Sequence, residues 1–101
     1  MTAAAITPTS VQKTYLSATS TVGTADRLVE FFVVLTKAAT DDWVTAATYT
    51  PGTVVSFDAI TIDSNSDGAQ EIMTYADTLT KLVLPGATTG TTYMRVICIE
   101  E

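Results

Sequence analysis

The chain has 101 residues, 47% of them hydrophobic and 16% charged, with a net charge of −6. That length fits one domain, and high hydrophobicity with few charges excludes a disordered chain. With five Lys plus Arg and no basic cluster, the chain lacks the cationic footprint that nucleic acid or an anionic membrane surface demands.

Histidine is absent and Cys98 is the one cysteine. Ser-His-Asp and Cys-His catalytic arrangements and Cys/His zinc sites are therefore excluded. A single Cys closes no disulfide within the chain, and inside the apolar run 93–99 it reads as a small buried hydrophobe. Roughly a fifth of the residues are Thr, a composition that suits exposed pleats and strands.

The first ten residues, MTAAAITPTS, lack the basic and apolar regions of a signal peptide. They read as an arm, loose or laid on a neighbouring subunit. No run approaches the ~18 apolar residues of a membrane span, so the expected setting is the cytoplasm or a virion. Residues 11–101 are expected to form a single β domain. Val11–Ala18 reads as a first strand, followed by turn material around Gly23.

Arg27–Thr36, RLVEFFVVLT, is the longest apolar run, with Glu30 its one interior charge. Its β-branched and aromatic centre predicts a strand. The odd face, Val29, Phe31, Val33 and Leu35, is expected to build the core. The even face, Leu28, Glu30, Phe32 and Val34, is expected to lie under a helix, an arm or a neighbouring subunit, and no cation opposite Glu30 is apparent. Leu28, Phe32 and Val34 are thus the candidate interface residues.

After the polar break 37–42, Asp41 and Asp42 could cap a short helix near Asp41–Ala47. The alternative is a strand with Trp43, Thr45, Ala47 and Tyr49 on one face. Thr50-Pro51-Gly52-Thr53 predicts a turn. Val54–Ile62 is a strand whose apolar parity switches midway, which predicts a bulge near Asp58–Ile60. Gln70–Tyr75 and Thr78–Leu84 read as a hairpin around Ala76-Asp77, and Thr91–Ile99 as the last strand. The pattern predicts an all-β fold, a small antiparallel sandwich or barrel of about seven short strands with one short helix.

Asp63-Ser64-Asn65-Ser66-Asp67-Gly68 matches the first half of a calcium loop, in which oxygens at alternating positions wrap a hard cation. Asp63, Asn65 and Asp67 are the candidate Ca²⁺ ligands. The twelfth position, where the EF-hand family places a bidentate Glu, is Thr74, and a solvated turn explains the same residues. No other cofactor is expected. The Asp41/Asp42 and Asp58/Asp77 pairs offer carboxylates for acid–base chemistry, but surface carboxylates account for them, and no catalytic residue is assigned. Trp43, Tyr49 and Tyr15 could form an aromatic platform or simply pack.

Leu84-Pro85-Gly86, then Thr92-Tyr93 and apolar Met94, Val96 and Cys98, resemble the turn and penultimate strand of fibronectin type III and immunoglobulin-like sandwiches. The resemblance implies a tyrosine corner at Tyr93. A sandwich of that kind ending after Ile99 would leave an open sheet edge there. In length, composition and arm the whole chain also resembles small all-β virion proteins of the phage capsid decoration or cement type. That resemblance implies a structural subunit and not an enzyme, homo-oligomeric or bound to a capsid lattice, with residues 1–10 and Arg27–Thr36 in its contacts and β-augmentation as the mechanism. The alternative is a small β-sandwich binding module for carbohydrate or protein, stabilised by calcium.

Overall fold

The two longest strands, β2 (Arg27–Lys37) and β8 (Gly90–Glu100), pair antiparallel along their whole length and form the centre of the larger of two sheets. The structure, a computed structural model, describes residues 2–16, 27–71, 74–76 and 80–100. Within them lie β1 (Ser10–Tyr15), β2, β3 (Asp42–Thr45), the one-turn helix α1 (Ala46–Tyr49), β4 (Thr53–Ile62), β5 (Gly68–Glu71), β6 (Thr74–Ala76), β7 (Lys81–Leu84) and β8. The expected turn at Gly23 and residue Asp77 fall outside the described residues.

One sheet has the order β1-β2-β8-β4-β5 and the other β3-β7-β6, with every pair antiparallel. The protein is an all-β, sandwich-like fold. Pairing is nested: the β2–β8 pair encloses β3–β7 in the sequence, which in turn encloses the β4–β5 hairpin. No helix among the described residues is long and apolar enough to cross a membrane.

The core follows from period-2 alternation. Val29, Phe31, Val33 and Leu35 of β2 point inward, as do Met94, Val96 and Cys98 of β8. Val44, Ala46, Leu82 and Leu84 close the core from β3, α1 and β7. Each such side chain taken fully out of water contributes about 1.5–3 kcal/mol before the entropic cost of ordering it. The odd face of β2 is thus the core face, as its sequence pattern requires.

Several elements differ from expectation. The bulge in β4 lies at Val55, between Val54 and Ser56, not near Asp58–Ile60. It swaps parity, so that Val54 and then Phe57 and Ala59 turn toward the core. Ile60 simply faces outward and stays 41% exposed. The expected strand Gln70–Tyr75 is divided: β5 closes the larger sheet and β6 the smaller one. The last strand, β8, is an interior strand between β2 and β4, and β1 and β5 are the edges.

The expected helix Asp41–Ala47 is shorter and later. Residues 42–45 pair with β7, and the helix is the single turn after them. Asp42 caps no helix. Its carboxylate accepts the backbone N–H groups of Ala38 and Ala39, both at 2.9 Å, and of Ala4, also at 2.9 Å. One side chain thereby holds the β2–β3 turn and the N-terminal segment together.

That segment is not loose: it is laid on β3 of its own chain. Trp43 N–H donates to Ala4 O and Ile6 N–H donates to Trp43 O, so Ala5 lies parallel to β3 as a short extra strand. Ile6 packs on the core. Thr9 N–H then donates to Val34 O at 2.7 Å and the chain continues as β1. The crossover between sheets is made at Thr7-Pro8, where a residue without an N–H costs no ladder bond. In the turn after α1, Gly52 has φ +114°, and a Cβ there would meet Ile99 O at 2.6 Å.

Candidate assembly interface

Because residues directly opposite on paired strands share a face, the registers define the outer surface of the larger sheet. One row across it reads Gln12, Phe32, Arg95, Asp58. The next reads Ser10, Val34, Tyr93, Ile60, Gln70. A third reads Thr14, Glu30, Ile97, Ser56. Phe32 is 38% exposed, Tyr93 37% and Ile60 41%, while Leu28, Val34 and Ile97 are half-buried.

Phe32 and Tyr93 are diagonal neighbours whose rings stack, with centroids 6.2 Å apart and planes inclined by 26°. A shallow groove of about 360 Å³ runs beside them, lined by Asp58, Ile60, Gln70 and Arg95. The face therefore holds a continuous apolar stripe with charges set into it. The candidate residues Leu28, Phe32 and Val34 all lie on this face. Sequence reasoning missed Tyr93 and Ile60, although period-2 counting from the Arg27–Thr36 parity and a paired β8 would have placed Tyr93 there.

Glu30 has a cation after all. Arg95 Nε donates to Glu30 Oε2 at 2.8 Å from the diagonal position on β8. The pair is exposed, with 54% of the Arg95 side chain open to solvent, so its worth to stability is about 0–1 kcal/mol. Its larger consequence is to hold a guanidinium in the middle of the apolar stripe.

The resemblance to a tyrosine corner is not realised, since the Tyr93 ring lies outward on Phe32. Nor do the aromatic residues form a common platform. Trp43 lies on the outer face of the smaller sheet with Lys81 Nζ 4.1 Å from its ring centroid. Tyr49 packs against the core from α1, and Tyr15 is on the far edge strand, donating to Glu100 at 3.3 Å. Among the acidic pairs, Asp42 is occupied by three amides, Asp41 is an exposed turn residue with φ 66°, and Asp58 is on the outer face.

The loop 63–68 is the β4–β5 hairpin turn. A single Asp63 oxygen, Oδ1, accepts the N–H groups of Asn65 at 2.8 Å and Asp67 at 3.0 Å. Ser66 N–H donates to Asp63 O, Asp63 N–H donates to Asp67 O, and Ser66 takes a left-handed φ of 65°. Asp63 thus stabilises its own turn, the usual work of such a residue. Among the described residues no cluster of three or more His, Cys, Asp or Glu is arranged to hold a metal ion.

Sequence reasoning also missed a buried polar cluster at one end of the sandwich. Lys37 continues the inward parity of β2 and is fully buried with Glu71. Thr61 Oγ1 donates to Glu71 at 2.9 Å and shares a 2.8 Å hydrogen bond with Thr92 Oγ1. Gly86 N–H donates to Glu71 at 2.8 Å, and Gly86 O accepts from Lys37. A Cβ at Gly86 would fall 2.8 Å from Glu71 Oε1. Every donor and acceptor is matched inside the cluster, which makes it a structural clamp between β2, β5 and the segment after β7.

Comparison of the chain with protein-family models, with curated proteins and with solved structures finds no match.

Proposed function

We propose that this protein is a non-enzymatic structural subunit, of the kind that decorates or cements a virus capsid. It acts by burying the outer face of its five-stranded sheet against a neighbouring subunit. The observation that carries this reading is the stripe of Phe32, Tyr93 and Ile60, three large apolar side chains exposed side by side on one sheet face. Contiguous exposed apolar surface of this kind marks interaction sites, whereas scattered exposed hydrophobics do not.

Two further features support it. The matched Lys37–Glu71 cluster and the threaded N-terminal segment tie the two sheets together behind the face, and a face held in place by its own chain binds at a lower ordering cost. The edge strand β1 is exposed along all six residues, which leaves a row of backbone groups available for strand addition. Antiparallel double-sheet domains are common among capsid and lectin proteins, a likeness of architecture alone.

Size-exclusion chromatography with light scattering over a concentration series tests the proposal. The expected result is a dimer or larger assembly at micromolar concentration. A chain that stays monomeric up to hundreds of micromolar would contradict it.

A further inference from the structure

We infer that the partner on this face is a second copy of the same chain, packed sheet on sheet about a two-fold axis that runs along the strands between β8 and β4. The inference rests on the proposed assembly role and specifies its partner and geometry. Three observations carry it.

The first is the order of residues on the two strands. β8 presents Thr91, Tyr93, Arg95 and Ile97 outward, and β4 presents Ile62, Ile60, Asp58 and Ser56 opposite them. A two-fold axis between these strands lays β8 of one copy over β4 of the other with the rows kept in step. Arg95 then faces the second copy's Asp58, and Tyr93 faces the second copy's Ile60. Each contact occurs twice, as an isologous interface requires. Cation meets anion and apolar meets apolar in every one of these four contacts.

The second observation is the unspent bonding on the two charges. Arg95 uses Nε on Glu30, and its terminal nitrogens hold no bond among the described residues. Asp58 is exposed, and its carboxylate accepts no hydrogen bond among them. Arg95 is therefore oriented by its own chain and has a fork of donors left for a carboxylate arriving from outside. Within the chain, Asp58 is the direct cross-strand partner of Arg95, yet the ion pair is made with Glu30 instead.

The third is size. With 11, 11, 10 and 4 residues in β2, β8, β4 and β5, at about 3.3 Å along a strand and about 4.8 Å between strands, the four strands that have a counterpart about this axis give a face of roughly 550–600 Å². A standard-size interface buries about 800 Å² on each partner. The face comes to the lower end of the area that specific interfaces bury, about 600 Å² on each partner, with the Tyr93–Ile60 and Arg95–Asp58 contacts nearest the axis.

The test uses a charge swap between chains. Arg95→Asp alone and Asp58→Arg alone each place like charges opposite one another twice, and each variant is expected to run as a monomer. Mixed in equal amounts, they restore two Arg–Asp contacts per pair and are expected to form a heterodimer of twice the 10.7 kDa chain mass. Thermal melts establish that both variants are folded.

Should either variant fail to fold, a Tyr93→Cys chain mixed with an Ile60→Cys chain reports the same geometry through a disulfide formed under mild oxidation. Cross-linking of Tyr93→Cys to itself in preference to Ile60→Cys would put the axis on β8 and overturn the inference. So would an assembling wild-type chain that Phe32→Asp disrupts but the mixed variants fail to rebuild, and that outcome would leave the assembly role standing. A monomeric wild-type chain removes both.

Discussion

Lys37 and Glu71 form an ion pair in which both side chains are fully buried, with Nζ 3.2 and 3.1 Å from the two carboxylate oxygens. Taking two charges out of water costs several kcal/mol per ion, which only mutual attraction and complete hydrogen bonding offset. Both conditions hold here, through Thr61 and Gly86. Breaking the pair from one side is expected to destabilise the fold by about 3–5 kcal/mol, because the remaining charge is left buried alone. Removing both sides with Lys37→Met and Glu71→Leu is expected to cost clearly less than the sum of the single changes. Urea unfolding of the two single variants and the double variant checks this; additive losses would contradict it.

Asp42 links acidity to stability. Burial pushes its carboxyl up, but the amides of Ala4, Ala38 and Ala39 together with the Lys37 charge outweigh that and hold it below the usual aspartate range. A depressed folded-state value means stabilisation that is fully present above the unfolded value near ~3.9 and lost as pH falls through the folded value. Asp42→Asn puts an NH₂ where one oxygen accepted an amide. The expected loss is about 1–3 kcal/mol at neutral pH, with the gap to the native chain narrowing below about pH 4. A gap that stays constant from pH 7 to pH 2 would contradict the assignment.

Much of this architecture was legible in the sequence, and the misses share a cause. The parity of Arg27–Thr36 identified the core face and the outer face, because period-2 alternation is local information. The same count extended by one step places Lys37 inward, but a lysine in that position reads as the start of a polar break. The partner that makes its burial tolerable, Glu71, is 34 residues away. The Glu30–Arg95 pair and the seat of Asp42 were invisible for the same reason: each depends on register or on turn geometry between distant segments. The bulge was legible as a parity conflict, but its position was not, since an outward-facing Ile60 resolves the later part of the conflict without one.

Cys98 is buried against the Thr50 carbonyl, its Sγ 3.6 Å from the oxygen, and burial pushes its thiol up. The thiolate is the reactive form. A thiol reagent such as DTNB is expected to modify no cysteine in the native protein and one per chain after unfolding in guanidinium. Rapid modification of the native chain would show that the β8–α1 contact opens readily.

In the turn at 63–68 Asp63 Oδ1 already accepts the N–H groups of Asn65 and Asp67. The melting temperature is therefore expected to be the same in millimolar Ca²⁺ and in EGTA. Asp63→Ala should lower stability by about 0.5–1.5 kcal/mol for each lost hydrogen bond in either buffer. A rise of several degrees with Ca²⁺ alone would contradict this and identify Asp63, Asn65 and Asp67 as ligands.

The outer face of the five-stranded sheet is the proposed assembly surface. Phe32 stands in the middle of that face and outside the core, so Phe32→Asp should leave the fold intact while placing a charge in the buried interface. Light scattering of the wild-type and Phe32→Asp chains at matched concentrations, beside thermal melts of both, measures it directly. The expected result is an assembled wild type and a folded, monomeric variant. An unchanged oligomeric state in a folded Phe32→Asp chain would contradict it.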